Sequence, residues 1–202
     1  MPIQISCVVE GHGDVEAVPI LIRRIAGEFQ PPVDVNIQPP IRTPKSRLTK
    51  PGELERAVDF ASRKLTAPGA VFVLLDSDED CPGQVGPALL ARAQSVRNDL
   101  LVAVVLAKCE FESWFIASVE SMAGQNGFPI QIQAPLDPES IRGAKEWLTE
   151  QMQGGRTYSP TLDQPALARI FSFDLALRTG SFSKCHREVS RILSALSEGQ
   201  PQ

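Results

Sequence analysis

Through roughly the first 120 residues, apolar runs short enough for strands alternate with segments whose apolar positions recur at helical spacing. Residues 3–9 read as a buried strand closed by Glu10-Gly11-His12-Gly13. From Asp14 onward, Val15, Val18, Ile20, Leu21, Ile22 and Ile25 recur at helical spacing, with Asp14 as N-cap. Pro31-Pro32 closes this unit, and residues 33–37 form a short second strand. Residues 39–52, rich in Pro, Arg, Lys and Thr, read as an exposed loop before a helix over about 53–65. The clearest strand is 70–75, Ala-Val-Phe-Val-Leu-Leu, continuously apolar as a strand buried on both faces should be. A helix after Pro82-Gly83 running to about Asn98, a strand over 100–106 and a helix ending before Gly124 complete the alternation. This order predicts an α/β fold with a mainly parallel sheet flanked by helices. Beyond Pro129 the strand signal fades, and helices are expected over 138–152, 163–171 and 183–196, with residues 198–202 fraying. The division expected is an α/β core over residues 1–125 and a helical C-terminal extension over 126–202, packed on that core.

Composition narrows the function classes. A net charge of −4 and a pI near 5.3 do not mark a polyanion binder overall, so any grip on nucleic acid must come from a local basic patch or from bound metal. No stretch approaches the roughly 18 apolar residues of a membrane span, and no secretory leader is legible. The four cysteines lack Cys-x-x-Cys spacing and only two histidines accompany them, which argues against structural zinc and for a reducing, cytoplasmic setting.

The chemistry lies in the acids at successive strand ends. Glu10 follows the first strand, Asp76, Asp78 and Asp80 follow the 70–75 strand, and Glu110 and Glu112 follow the next. In parallel sheets, ligands collect at the carboxyl ends of strands. Crowded carboxylates raise one another's pKa, and a hard divalent cation removes that penalty. Gly11 and Gly13 would let a tight turn bring backbone close to a ligand. Other motifs fail. An EF-hand starting at Asp76 would need Gly at Cys81 and Glu at Pro87, and the Gly11-His12-Gly13 turn has no Walker Lys-Ser/Thr after it.

Glu10-Gly11 at the end of the first strand, with Leu-Leu-Asp76-Ser-Asp78-Glu-Asp80 at the end of the third, resembles the Toprim (topoisomerase–primase) pattern. Asp14, four residues past Glu10, and Glu110 or Glu112 after the following strand make it similar to nucleases of the overcoming-lysogenization-defect type and to related bacterial Toprim-like families. The resemblance covers about residues 3–120. It implies that Asp76 and Asp78, helped by Glu10, hold one Mg²⁺ or Mn²⁺, and that Asp14 with Glu110 or Glu112 holds a second. The implied reaction is phosphodiester hydrolysis on nucleic acid. The ATPase half of the larger nucleases is missing, which leaves a second expectation, a non-catalytic metal- or nucleotide-binding subunit that works with an ATPase partner.

Such a reaction also wants a cation for developing charge, and Lys145 and Lys108 are candidates. The basic segment from Arg42 to Lys50, with Lys45 and Arg47, would overhang the site and grip phosphates; a plain solvated loop is the alternative. His12 stands beside Glu10, within reach of a metal or substrate. The Lys184-Cys185-His186-Arg187 cluster reads as surface, and Phe111, Trp114 and Phe115 as core.

Overall fold

A computed structural model describes residues 1–66 and 69–198. In chain order the elements are strand β1 (Ile3–Val9), helix α1 (Asp14–Gly27), strands β2 (Val35–Ile37) and β3 (Ile41–Arg42), and helices α2 (Lys45–Leu48) and α3 (Glu53–Ser62). Strand β4 (Gly69–Asp76), helix α4 (Pro82–Gln94), strand β5 (Leu101–Ala107) and helix α5 (Ser113–Ala117) follow. After two 3₁₀ turns (Val119–Met122 and Pro138–Ser140) come α6 (Ala144–Gln151), α7 (Asp163–Ile170), α8 (Phe173–Ala176) and α9 (Gly180–Glu198).

The sheet runs β2-β1-β4-β5, all pairings parallel, with β3 sharing the β2 edge of β1. The fold is therefore α/β, as the alternation predicts. Its chain direction makes a switch point: from β1 the next strands lie on one side, and β4 lies on the other. The carboxyl ends of β1 and β4 diverge there into a crevice.

Each central strand feeds two cores. On β4, Ala70, Phe72 and Leu74 face one layer, while Val71, Val73 and Leu75 face the other. That double burial explains why these strands read as unbroken apolar runs. Helices α3 and α4 cover the Val71–Leu75 face through Leu54, Val58 and Leu89. The other face carries α1 together with Leu167, Phe171, Phe182, Val189 and Ile192 of the C-terminal third. Phe115, Phe171, Phe173 and Phe182 meet edge-on or tilted at centroid distances of 5.1–5.5 Å. The last third thus packs on the α/β core and closes one of its two layers.

Three stretches differ from the sequence reading. Residues 39–52 are not a free loop: Leu48 is fully buried, Lys45 is buried, and β3 pairs with Val8 and Val9. Two short apolar anchors separated by Pro39, Pro40 and Pro44 leave too little periodicity to recognise. The helix expected over 138–152 is cut by Gly143, whose φ of 69° only glycine adopts readily, so α6 starts at Ala144. The four-residue helix α8 is too short to leave a pattern. The fraying expected at the C-terminus falls mainly on 199–202, outside the described residues; Glu198 ends α9.

Candidate metal centre

The acids at the strand ends do converge. Glu10 leaves β1 at the switch point, and its Oε2 accepts a hydrogen bond from the backbone N–H of Asp76 at 3.3 Å. Asp76 closes β4 half-buried, at the wall of a cleft; its Oδ1 accepts from the Phe111 N–H at 2.8 Å. Burial, then the negative charges of Glu112 and Asp14, hold the Asp76 pKa well above the usual carboxylate range; Lys145 opposes this and Glu10 adds to it. Desolvation likewise raises Glu10, against hydrogen bonds from the Lys45 and Asp76 backbones. Four carboxylates from three chain segments therefore feel one another's field around Asp76.

The loops after β4 and β5 are fastened together. Ser77, fully buried, donates its N–H to the Ala107 carbonyl at 2.8 Å and accepts the Cys109 N–H on its hydroxyl at 2.9 Å. The Asp78 N–H reaches the Cys109 carbonyl at 3.0 Å. Asp78 and Cys109 both hold positive φ, 51° and 59°, a conformation that side-chain-bearing residues adopt at some energetic cost. The Asp76-x-Asp78 alternation thus ends in a sharp reversal. Asp76 turns inward, while Asp78 and Asp80 are exposed.

Two lysines neutralise the acids. Lys45 Nζ lies 3.0 Å from both Asp78 and Asp80 and donates to the Ser77 carbonyl at 2.6 Å. Burial works to lower its pKa, but the hydrogen bonds to the two aspartates outweigh this and leave it raised. Lys145, on the first turn of α6, is bound by Glu110 and lies 3.2 Å from Glu112. There too burial is outweighed by Glu112, Glu110 and Asp76, so the ammonium is held firmly charged. Gly143 makes this possible, because its left-handed turn aims the Ala144 N–H at Glu110 Oε1, 2.8 Å away.

The C-terminal third supplies the remaining partners. Tyr158 donates its hydroxyl to the buried Glu112 at 3.0 Å, and burial followed by that carboxylate pushes the phenol's pKa upward. Gln164 donates to Asp14 Oδ1 at 2.5 Å, while the Gly11 N–H donates to Asp14 Oδ2 at 2.7 Å. Asp14 is therefore the first residue of α1 rather than its N-cap, and both its oxygens are engaged. Gly13 is needed for a reason other than a ligand: a Cβ there would overlap Gln164 Oε1 and the Pro160 carbonyl.

Of the residues singled out in the sequence, Glu10, Asp14, Asp76, Glu110, Glu112 and Lys145 come together. Asp78 and Asp80 sit at the outer lip with Lys45. Arg42, Arg47 and Lys50 are exposed, and Arg47 is drawn to Glu53 at 2.5 Å. His12 is exposed, and His186 lies far along the chain against Glu28 at 2.6 Å. Lys108 is exposed beside the loop. Lys45 was legible only as a loop lysine; Tyr158 and Gln164 left no signal, since neither stands in a spaced motif.

Among the described residues, no group of three or more His, Cys, Asp or Glu side chains stands in a ready-made ligand cage. The donor chemistry nevertheless suits a hard cation. Magnesium takes one or two carboxylates and completes its octahedron with water and substrate phosphate. The proton demand of Asp76, beside Glu10, is what such an ion would relieve. The cleft between Asp76, Asp78, Glu110, Arg142 and Lys145 measures about 190 Å³. That is below the ~300–1,000 Å³ of sites that enclose a drug-sized ligand, and suits an ion with its waters and one phosphate of a longer substrate.

The family model described as Domain of unknown function (DUF4276) matches residues 9–184, and the chain belongs to that family. No curated protein and no solved structure matches it.

Proposed function

We propose that this chain is a Toprim-like phosphodiesterase that hydrolyses nucleic acid with Mg²⁺ or Mn²⁺. The observation that carries the reading is the meeting of Glu10 with Asp76 at the switch point, inside a field of carboxylates that keeps Asp76 short of negative charge. Glu10 and Asp76 would hold the ion, with Asp78 turning in from the lip and Asp14 and Glu112 behind. A bound ion supplies Lewis-acid polarisation of a phosphoryl oxygen and a more acidic water. The protein's own part is positioning and charge. Lys145, kept protonated between Glu110 and Glu112, is the cation placed to meet charge developing on a phosphate in the cleft. Tyr158 and Gln164 fix Glu112 and Asp14 so that neither swings away. Arg42, Arg47 and Lys50 give the acidic protein an exposed basic stretch beyond Asp78, suited to a polyanion backbone.

The test is cleavage of plasmid and oligonucleotides with Mg²⁺ or Mn²⁺ by the wild type, Glu10→Ala and Asp76→Ala. The proposal requires cleavage by the wild type and its loss in both variants. Equal cleavage by all three overturns it.

A second reading has a specific observation in its favour. Lys45 and Lys145 each pair with two of the site's acids, Asp78 and Asp80 for the first, Glu110 and Glu112 for the second. Acids held by the protein's own lysines suit a non-catalytic Toprim-like subunit that binds metal or nucleotide and works with an ATPase partner. Absence of cleavage, with a calorimetric Mn²⁺ signal lost in Asp76→Ala, selects this reading.

A further inference from the structure

The largest cavity, about 640 Å³, lies away from the acids, where α4 and the start of α9 meet the outer strand β5. Leu90, Pro82 and Pro87 of α4 line it together with Val104 and Leu106 of β5, so its apolar side chains are aliphatic. Gly180, Ser181, Lys184 and Arg187 of α9 complete the lining; spaced three and four apart, they share one face of the helix.

Two glycines of α4, Gly83 and Gly86, also line the cavity, and neither has the positive φ that reserves a position for glycine. Packing does not demand them either. A Cβ at Gly86 would meet Leu106 Cδ1 at 3.6 Å, and one at Gly83 would come no nearer than 4.0 Å to Cys81 Sγ, both ordinary contacts. Pro87 weakens the same turn again, because it has no N–H to give the Gly83 carbonyl four residues back. Helix α4 thus forgoes helix-forming residues along this stretch, and the missing side chains leave room in the cavity.

The charged groups around this hollow are mostly cations. Lys108, just past β5, borders it with Lys184 and Arg187. Lys184 is shared with Glu188 at 3.2 Å, while Lys108 and Arg187 are exposed and free of ion pairs among the described residues. The lining's acid, Glu139, is already engaged, since its two oxygens accept from the Gly180 and Ser181 N–H groups at 3.2 and 2.9 Å.

We propose that this cavity binds an acyl-chain carboxylate, with the aliphatic tail against Leu90, Val104 and Leu106 and the carboxylate at Arg187 and Lys108. The volume falls within the range of about 300–1,000 Å³ that encloses small molecules. A guanidinium fork matches a carboxylate, and two unpaired cations suit a single anionic head group. With no aromatic ring in its lining, the cavity has no platform on which a nucleobase would stack. The inference is independent of the metal centre and of the reaction proposed there.

The probes are octanoate and decanoate, titrated calorimetrically into the full chain, with hexanoate and octylammonium for comparison and amide chemical shifts to locate the site. Binding is expected to tighten about fourfold per added methylene, and octylammonium to bind at least about tenfold more weakly than octanoate. Shifts should move at Gly86, Lys108 and Gly180 and stay in place at Gly11 and Ala144 of the metal centre. Arg187→Glu, at an exposed position of α9, should weaken octanoate binding about tenfold without changing the melting temperature. Gly86→Met, whose side chain enters the cavity, should abolish binding in a protein that still melts cooperatively; should that variant not fold, Arg187→Glu decides alone. The proposal is overturned if neither carboxylate binds at millimolar concentration, if octylammonium binds as well as octanoate, or if affinity is the same from hexanoate to decanoate. Undiminished decanoate binding by folded Gly86→Met, or octanoate binding unaffected in Arg187→Glu, overturns it as well.

Discussion

The backbone N–H of Asp76 points at Glu10 Oε2 from 3.3 Å, so the last residue of β4 holds the acid that leaves β1. The contact joins strands that run side by side in the sheet but lie 66 positions apart in sequence. It turns two separately unremarkable acids into one electrostatic unit, in which neither can ionise without regard to the other.

Asp76→Asn removes the most strained charge of that unit while keeping its shape and its Phe111 hydrogen bond. The folded-state pKa of Asp76 is raised, so the native chain binds more protons than the unfolded one above about pH 4. The stability this group contributes is present below that pH and is lost as pH rises through the folded value. The metal-free variant should therefore melt higher than the wild type, with a gap that widens as pH rises above about 4. Differential scanning fluorimetry in EDTA reads this directly. Cleavage and Mn²⁺ binding should be lost.

Lys45→Met leaves Asp78 and Asp80 without their shared cation and the Ser77 carbonyl without its donor. Metal-free stability should fall by about 1–3 kcal/mol in urea unfolding. Millimolar Mg²⁺ should then raise the melting temperature more than it does for the wild type, since an ion can replace the missing charge. An equal shift in both proteins would detach Asp78 from metal binding.

Arg92 clamps Glu55 through two donors at 2.7 and 2.8 Å, tying α4 to α3, and holds the Glu55 carboxyl down to about 2. A lowered folded pKa contributes stability above the unfolded value of about 4.3, and that stability disappears as pH falls through the folded one. Glu55→Gln should destabilise by about 0.5–1 kcal/mol at neutral pH, modest because the pair is partly exposed. Near pH 2 the variant and wild type should converge.

Gly13→Ala should be severe although Gly13, the N-cap of α1, has dihedral angles that any residue adopts. The added methyl meets the Pro160 carbonyl, which is main chain and cannot rotate aside. A loss of about 2–4 kcal/mol is expected. Gly27→Ala, where a Cβ meets nothing within 4 Å, is the control and should be close to neutral.

The sheet was readable because its central strands are buried on both faces, so 3–9, 70–75 and 100–106 stand out as runs that no amphipathic helix would show. The acids were readable because parallel strands deliver their carboxyl ends to one side. What escaped reading depended on distance in sequence. Lys45 looks like any basic loop residue until Leu48 is seen to anchor its helix in the core. Tyr158 and Gln164 carry no periodicity or motif, and their roles arise only where α7 folds across α1. The uninterrupted helix expected over 138–152 overlooked how a glycine at 143, placed by the need to present Ala144 and Lys145 to Glu110, overrides the surrounding helix formers.

The grip of Tyr158 on Glu112 and of Gln164 on Asp14 carries an evolutionary corollary. Inherited changes in the stretch from Tyr158 to Gln164 would retune acids encoded well upstream without altering a single one of them. Lineages sharing every carboxylate would then diverge in the proton affinity of those acids through drift in this tail, and a gene fragment ending at residue 125 would carry the acids but lack the parts that set their character.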